Sequence, residues 1–245
     1  MIMTMIMIKT NETFKYPGSE LEIFSHALNW RRYKAAVLRP YIGSSVLEVG
    51  AGIGSTTSVL CKGSQDRWLC LEPDIQMAKT IEKLLQQKKL PPCCDVKSCR
   101  IQDISGNELF DTILYIDVLE HISDDAGEML NAASHLVSKG YLIVLSPAYP
   151  WLFSPFDKAI GHFRRYNRKS LGALSPPGCV KVKSAYLDSM GVLLSLANKL
   201  LLRSPYPTPT HIKIWDHIIV PMSRISDPLV RYSFGRSIIV IWKRI

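Results

Sequence analysis

The chain has 245 residues, 47% of them hydrophobic and 21% charged, with a formal net charge of +9. That length and balance bury one sizeable core and exclude a disordered chain, and no segment reaches the run of about 18 apolar residues needed to cross a membrane. Lys199, Arg203 and Asp188 interrupt the longest apolar run, and the opening MIMTMIMI lacks the basic leader and small-residue cleavage site of a signal peptide, so the expected location is cytoplasmic.

The first strong strand signal, after a stretch expected to form a helical cap over 1–40, is Ser45 to Leu60, SVLEVGAGIGSTTSVL. It reads as a buried strand that turns through closely spaced glycines into a helix. Val46, Leu47 and Val49 supply the strand, while Gly50, Gly52 and Gly54 permit positive φ and let a ligand touch backbone. Glu48 stands just before the turn. Its spacing, E-x-G-x-G-x-G, departs from the dinucleotide fingerprint G-x-G-x-x-G. The turn alone admits a nucleotide, a dinucleotide or S-adenosylmethionine.

Trp68 to Asp74, WLCLEPD, is a second apolar run. Its Glu72 can accept both hydroxyls of a ribose. The helix expected over Ile75 to Gln87 carries Met77, Ile81, Leu84 and Leu85 on one stripe, the period of a helix packed on a sheet. A third strand is expected over 98–103, ending in Asp103, which could accept from an adenine amino group. FDTILYIDVLEHI, Phe110 to Ile122, gives a fourth strand over 111–116 with Asp117, Glu120 and His121 at its carboxyl end. A helix from Asp124 to Val137, capped by Ser123 or Asp124 and stopped by Gly140, leads to a fifth strand over 141–146. Two more follow over 179–186 and 237–243. The bland reading of each acid is a helix cap after a strand.

The six cysteines stand at 61, 70, 93, 94, 99 and 179. Cys61 and Cys70 fall on elements expected to be buried, where a thiol behaves as a small apolar side chain. Cys93, Cys94 and Cys99 raise a zinc or redox site, but no pair has C-x-x-C spacing and no histidine is near. No metal is therefore expected.

The acid-tipped strands, with VLEVGAGIG and D-V-L-E-H-I, resemble the class I S-adenosylmethionine-dependent methyltransferases, in particular small-molecule members, over about the first 150 residues. The resemblance implies a Rossmann-like α/β fold: a seven-stranded sheet, helices on both faces, an antiparallel last strand and a helical insert before it. It implies a single methyltransferase domain over 1–245, with its cofactor core over 41–148. It also implies that Glu48, Gly50, Ala51, Gly52 and Gly54 hold the methionine part and sulfonium side of S-adenosyl-L-methionine. Glu72 and Pro73 would take the ribose, Gln102, Asp103 and Ile104 the adenine, and Asp117, Val118 and Leu119 the far wall. An NAD-binding domain is the competing reading.

After the fifth strand, PAYPWLFSPFDKAIGHFRRYNRKSL supplies an active-site loop over 149–176. Its Pro-rich start keeps it out of regular helix, and Trp151, Phe153 and Phe156 offer aromatic walls. His162 is the best candidate base, with Asp157 to orient it and Tyr166 beside them. The opposing reading pairs Asp157 with Arg164 or Arg165 and leaves His162 bonded within the loop. Those arginines could instead grip an acceptor phosphate or carboxylate, with Trp151, Phe156 and Tyr166 around its apolar part. The loop resembles that of a bacterial methyltransferase subgroup linked with sugar, lipid or secondary metabolism.

The insert over 189–235 contains two amphipathic stretches, MGVLLSLANKLLLR and HIKIWDHIIVPMSRISDPL. These either pack on the sheet or form a lid or a surface resting on a membrane, given Lys199, Arg203, Arg224 and Arg231. The pI near 9.3 raises nucleic acid as a partner. The charge is dispersed, however, and no RNA-binding module or Cys/His finger is present. The expected partner is a small-molecule acceptor bearing phosphate or carboxylate. RNA or protein methylation, and a non-catalytic cofactor-binding role, are the alternatives. Oligomeric state does not follow from these residues.

Overall fold

The computed structural model describes residues 14–18, 20–197 and 208–245. The MIMTMIMI opening, Lys199 and Arg203 lie outside the described residues. Seven strands, β1 (Ser45–Val49), β2 (Arg67–Leu71), β3 (Cys94–Lys97), β4 (Phe110–Ile116), β5 (Leu136–Pro147), β6 (Cys179–Leu187) and β7 (Ser237–Arg244), form one sheet in the order β3-β2-β1-β4-β5-β7-β6. The first five pair parallel, and β7 runs antiparallel between β5 and β6. The chain steps outward from β1 through β2 to β3 and then returns to β4. That reversal leaves a crevice at the carboxyl ends of β1 and β4, where ligands of open α/β sheets bind.

The helices are α1 (Glu20–Ser25), α2 (Leu28–Leu38), α3 (Thr57–Leu60), α4 (Ile75–Gln86), α5 (Asp125–Ser134), α6 (Pro155–Ala159), α7 (Arg168–Gly172), α8 (Ser189–Ala197), α9 (Pro209–Ile214) and α10 (Val220–Leu229). Strand alternation divides the core between the two faces of the sheet. Val46, Trp68, Leu114 and Ile241 pack with Trp30, Leu38, Ile81 and Trp215 on one face. Leu47, Leu69, Tyr115 and Trp242 pack with Met129, Ala132, Tyr166 and Leu171 on the other. Each large apolar side chain so removed from water contributes about 1.5–3 kcal/mol.

Two boundaries differ from the sequence reading. The third strand is Cys94–Lys97, not 98–103: the Cys94 N–H donates to Pro91 O at 3.0 Å, so pairing begins directly after the double-proline turn. Asp103 closes a 3-10 turn over Ile101–Asp103, its carboxylate accepting the Arg100 N–H at 2.9 Å, which is the capping role. The helix expected to reach Val137 ends at Ser134, because Leu136 already pairs with Phe110. A register shift follows, and Lys139 takes a φ of 65°.

The insert is tied to the body by buried carboxylates. Asp216, in a π-helical turn over Trp215–Ile219 between α9 and α10, accepts the N–H of Trp30 at 2.8 Å and of Asn29 at 3.1 Å, which caps the start of α2. Asp227 accepts the Tyr33 hydroxyl at 2.6 Å and the backbone N–H of Asp188 at 2.8 Å and Ser189 at 2.9 Å. One face of the α9–α10 rod stays in water and carries Ile214, Ile218, Met222, Ile225 and Leu229. Among the described residues no helix is long and apolar enough to cross a membrane.

Candidate active site

The glycine turn after β1 adopts the conformation its composition requires. Gly50, Gly52 and Gly54 have φ of 66°, 58° and 77°, a region that side-chain-bearing residues enter only at a cost. A Cβ on Gly50 would lie 2.7 Å from Val118 Cγ2, so the turn sits directly on the loop after β4. Ala51 is buried, and its N–H donates to Leu71 O at 3.0 Å, which fastens the turn to the end of β2.

Glu72 stands at that end and accepts the Gly52 N–H at 2.7 Å through Oε2 and the Asp74 N–H at 2.9 Å through Oε1. Burial raises its pKa, against the two backbone donors. Each carboxylate oxygen retains a second lone pair, so a vicinal diol can be accepted without breaking either bond. Pro73 is half-buried, and Asp74 caps α4 by accepting from Gln76 and Met77. Asp74 also accepts the Tyr16 N–H at 2.8 Å, which brings residues 14–18 across the rim of the crevice.

Glu48 takes a different place. It alternates onto the face under α3, where its Oε2 accepts from Thr57 Oγ1 at 2.7 Å and Trp68 Nε1 at 2.9 Å. Burial pushes its carboxyl up to about 7. Both bonds brace the turn from behind.

On the adenine side, Ile104 is buried, while Gln102 and Asp103 are exposed and Gln102 Nε2 donates to Glu128 at 2.6 Å. On the far wall Asp117 has a φ of 59° and pairs with Lys34 at 2.8 Å, while Val118 is half-buried and Leu119 fully buried. Lys34, from α2, was not anticipated. It lies far upstream of any motif, and only the folding of α2 over the turn brings it in.

The loop after β5 begins at Tyr149, whose φ is 65°, and is organised around Asp157. Ser154 and Asp157 form a capping box on α6, with Ser154 N–H and Oγ donating to Asp157 at 2.8 and 2.7 Å. The S-x-x-D spacing was a readable signal for it. Asp157 also accepts from His162 Nδ1 at 2.9 Å and from Arg165 Nε and Nη2 at 2.8 and 2.9 Å. Burial alone would raise this carboxyl, but His162 and Arg165 hold it well below the usual carboxylate range. Both opposed readings of Asp157 are therefore realised at once, through different lone pairs.

Arg164 pairs with Asp125 at 2.6 Å and donates to Ser123 O at 2.7 Å. With Arg165 on Asp157, each arginine proposed to grip an acceptor anion is engaged inside the protein. Tyr166 is buried, and its hydroxyl donates to Asp125 at 2.8 Å. It holds the loop on α5 and on the β4 wall, where the hydroxyl lies 3.4 Å from Leu119 O. Trp151 is half exposed beside Tyr149 at 5.5 Å, and Tyr149 stacks on Tyr186 at 5.1 Å. Phe156 is half-buried on α6.

His162 meets the end of β4. Its ring lies 4.5 Å from that of His121, which in turn lies 5.5 Å from Tyr16. Its Nε2 faces Glu120 Oε1 at 3.9 Å, a buried oxygen with no hydrogen-bond partner among the described residues. Burial and the neighbouring Asp117 charge push Glu120 up to about 8, and burial with the nearby His162 lowers His121 to about 4. Glu120, His121 and His162 each offer a ligand atom within 4.8 Å of the others, a spacing one divalent cation can span.

The β1 turn, the Glu72 carboxylate and the β4 wall thus meet at one crevice, with the His162 dyad at its edge. The glycine cradle and the open lone pairs of Glu72 fit an adenosine-bearing cofactor. Residues 47–142 match the family model described as a methyltransferase domain. No curated protein sequence matches the chain. Among solved structures it is similar to a proposed sarcosine dimethylglycine methyltransferase from Galdieria sulphuraria, with a TM-score of 0.58 and 16% identity over 87% of this chain and 82% of that one. It is similar as well to N-methyltransferase NodS from Bradyrhizobium japonicum in complex with S-adenosyl-L-homocysteine, with a TM-score of 0.57 and 13% identity over 89% and 88% of the two chains. A coclaurine N-methyltransferase bound to N-methylheliamine and S-adenosylhomocysteine gives a TM-score of 0.60 and 13% identity over 87% and 72%.

Proposed function

We propose, on the premise that residues 47–142 form a methyltransferase domain, that the chain is a class I S-adenosylmethionine-dependent methyltransferase that methylates a small-molecule hydroxyl or amine, with His162 receiving the acceptor's proton. The observation that carries this reading is the Asp157–His162 hydrogen bond of 2.9 Å beside the β4 wall.

When bound, S-adenosylmethionine supplies a methyl group already activated by its sulfonium, so the protein's task is mainly alignment. Gly50, Gly52 and Gly54 open the backbone to the cofactor's methionine end, Glu72 accepts from its ribose, and Ile104 offers apolar contact to the base. Asp157 fixes the His162 ring with Nδ1–H directed at the carboxylate, which leaves the Nε2 lone pair, unbonded to Glu120 at 3.9 Å, as the proton acceptor. Arg165 keeps Asp157 ionised and in place. Lys34, paired with Asp117, closes the wall behind them.

The arginine pairs remove the main support for an anionic acceptor. What supports a partly apolar one is the Trp151–Tyr149–Tyr186 aromatic run at the loop's start. Peripheral contact of 189–235 with a lipid surface is supported by the exposed stripe from Ile214 to Leu229. Co-sedimentation with anionic vesicles tests it, and loss of binding in Ile218→Ser with Ile225→Ser is the supporting result.

The deciding experiment incubates the purified chain and S-adenosylmethionine with separated small-molecule, RNA and protein fractions and measures S-adenosylhomocysteine. Turnover in the small-molecule fraction that falls sharply in His162→Gln, with S-adenosylmethionine affinity unchanged, supports the proposal. Turnover confined to RNA or protein would overturn the acceptor class, and an unaffected variant would remove His162 as the base.

A further inference from the structure

Folding brings together three thiols that the sequence keeps apart. Cys61 follows α3, whereas Cys93 and Cys94 lead into β3, yet Cys61 Sγ lies 3.5 Å from Cys93 Sγ and 3.4 Å from Cys94 Sγ. All three sulfurs fall within 4.8 Å of one another. Cys61 and Cys94 are buried and Cys93 is half-buried, which provides a route from solvent.

The surrounding backbone is fixed before any ligand arrives. Cys93 O accepts the Trp68 N–H at 2.8 Å, and the Cys94 N–H donates to Pro91 O at 3.0 Å. The turn from Cys61 carries Gln65, whose Oε1 accepts the Lys62 N–H at 3.2 Å and stands 3.6 Å from Cys61 Sγ. The S···O distance equals, and the S···S distances lie within about 0.4 Å of, the edges of one polyhedron. Tetrahedral Zn²⁺ with Zn–S of about 2.3 Å and Zn–O of about 2.0–2.2 Å has S···S edges of about 3.8 Å and S···O edges of about 3.5–3.6 Å.

We propose that Cys61, Cys93 and Cys94 form a binding site for Zn²⁺, with the Gln65 amide oxygen or a water as the fourth donor. The site lies where β2 and β3 begin, at the opposite end of these strands from Glu72 and the glycine turn. Its role is structural: it ties the α3–β2 turn to the start of β3. Three thiolates suit a thiophilic d¹⁰ ion, and each thiol releases its proton as the metal binds.

The test titrates the reduced, metal-free full chain with Zn²⁺ alone against a competing chromogenic chelator, and maps thiol alkylation by mass spectrometry. One bound equivalent that slows alkylation of Cys93 at least about 10-fold while half-buried Cys99 still reacts is the expected result. Cys93→Ser should then lose stoichiometric binding, Gln65→Ala should weaken it, and cobalt in place of zinc should give thiolate-to-metal charge-transfer absorption in the wild type, a readout independent of any variant's folding. Absence of binding at micromolar Zn²⁺, equal protection of Cys93 and Cys99, or binding unaffected by Cys93→Ser would overturn the site. So would a Cys61 disulfide to Cys93 or Cys94 that forms in air equally fast with and without Zn²⁺.

Discussion

Asp157 accepts the Nδ1–H of His162 at 2.9 Å while Arg165 and Ser154 occupy its remaining lone pairs. The carboxylate is therefore ionised across the working pH range, and its effect on catalysis passes through the orientation of the imidazole. His162→Gln is expected to lower kcat by about 10²–10⁴. Asp157→Asn keeps the α6 cap but frees the ring, and should lower kcat by roughly 10-fold or more. In both, the KM for S-adenosylmethionine stays within about twofold. Steady-state kinetics with thermal unfolding of each variant checks this, and equal losses in kcat and folded fraction would reduce the dyad to a structural element.

Glu72 bonds to Gly52 and Asp74 through separate oxygens, so Glu72→Gln keeps one acceptor and loses the charge. Hydrogen bonds to a charged group contribute about 1.5–3 kcal/mol, and 1.4 kcal/mol is a factor of ten. Glu72→Gln should therefore weaken S-adenosylmethionine binding by about 10–100-fold in calorimetry, with NAD binding neither protein. Wild-type affinity in the variant would place the ribose elsewhere.

Gly50 makes a double demand on its position, through its φ of 66° and through Val118 Cγ2 at 2.7 Å from a built Cβ. Gly50→Ala is expected to destabilise the fold by about 1–3 kcal/mol and to displace the β4 wall. Val118→Ala in the same chain removes the collision but not the backbone strain. Denaturant unfolding of the double variant should recover part of the loss, and no recovery would show that strain alone sets it.

Much of this fold was legible because the cues are local. The apolar run into Gly50, Gly52 and Gly54, the acid ending WLCLEPD and the apolar closing strand each announce themselves within a few residues, while the antiparallel direction of that last strand came from the family resemblance alone. The third strand was misplaced because its shortness gave no period to read and the double proline obscured its start. The candidate site was legible in its parts, Glu72, Asp157 and His162, but not in its pairings. Arg164 was read as an open cation, and only the tertiary fold sets Asp125 against it. Lys34, Asp216 and the meeting of Cys61 with Cys93 depend on long-range packing that no local pattern encodes. Glu48 was read as a cofactor contact from its place in the motif, and its buried bonds to Thr57 and Trp68 were not legible there.

That inward turn of Glu48 gives a pH signature. Its ordinary value of 4.5 is pushed up to about 7 by burial, against hydrogen bonds from Thr57 and Trp68. Between those values the folded protein keeps a proton that the unfolded chain has released, so stability falls as pH rises through the window and levels off above it. The span corresponds to about 3 kcal/mol at most. Glu120, raised to about 8, extends the decline in the same direction. In Glu48→Gln the amide oxygen can still accept from Thr57 and Trp68, but nothing at that site titrates. The variant should match the wild type near pH 5 and become the more stable of the two by pH 7.5, with S-adenosylmethionine affinity unchanged because the amide keeps the bonds to Thr57 and Trp68. Denaturant unfolding at half-unit pH steps checks the first expectation and calorimetry the second. Parallel stability curves would mean that Glu48 is ionised in the folded protein, and a loss of affinity would return it to the cofactor's side of the strand.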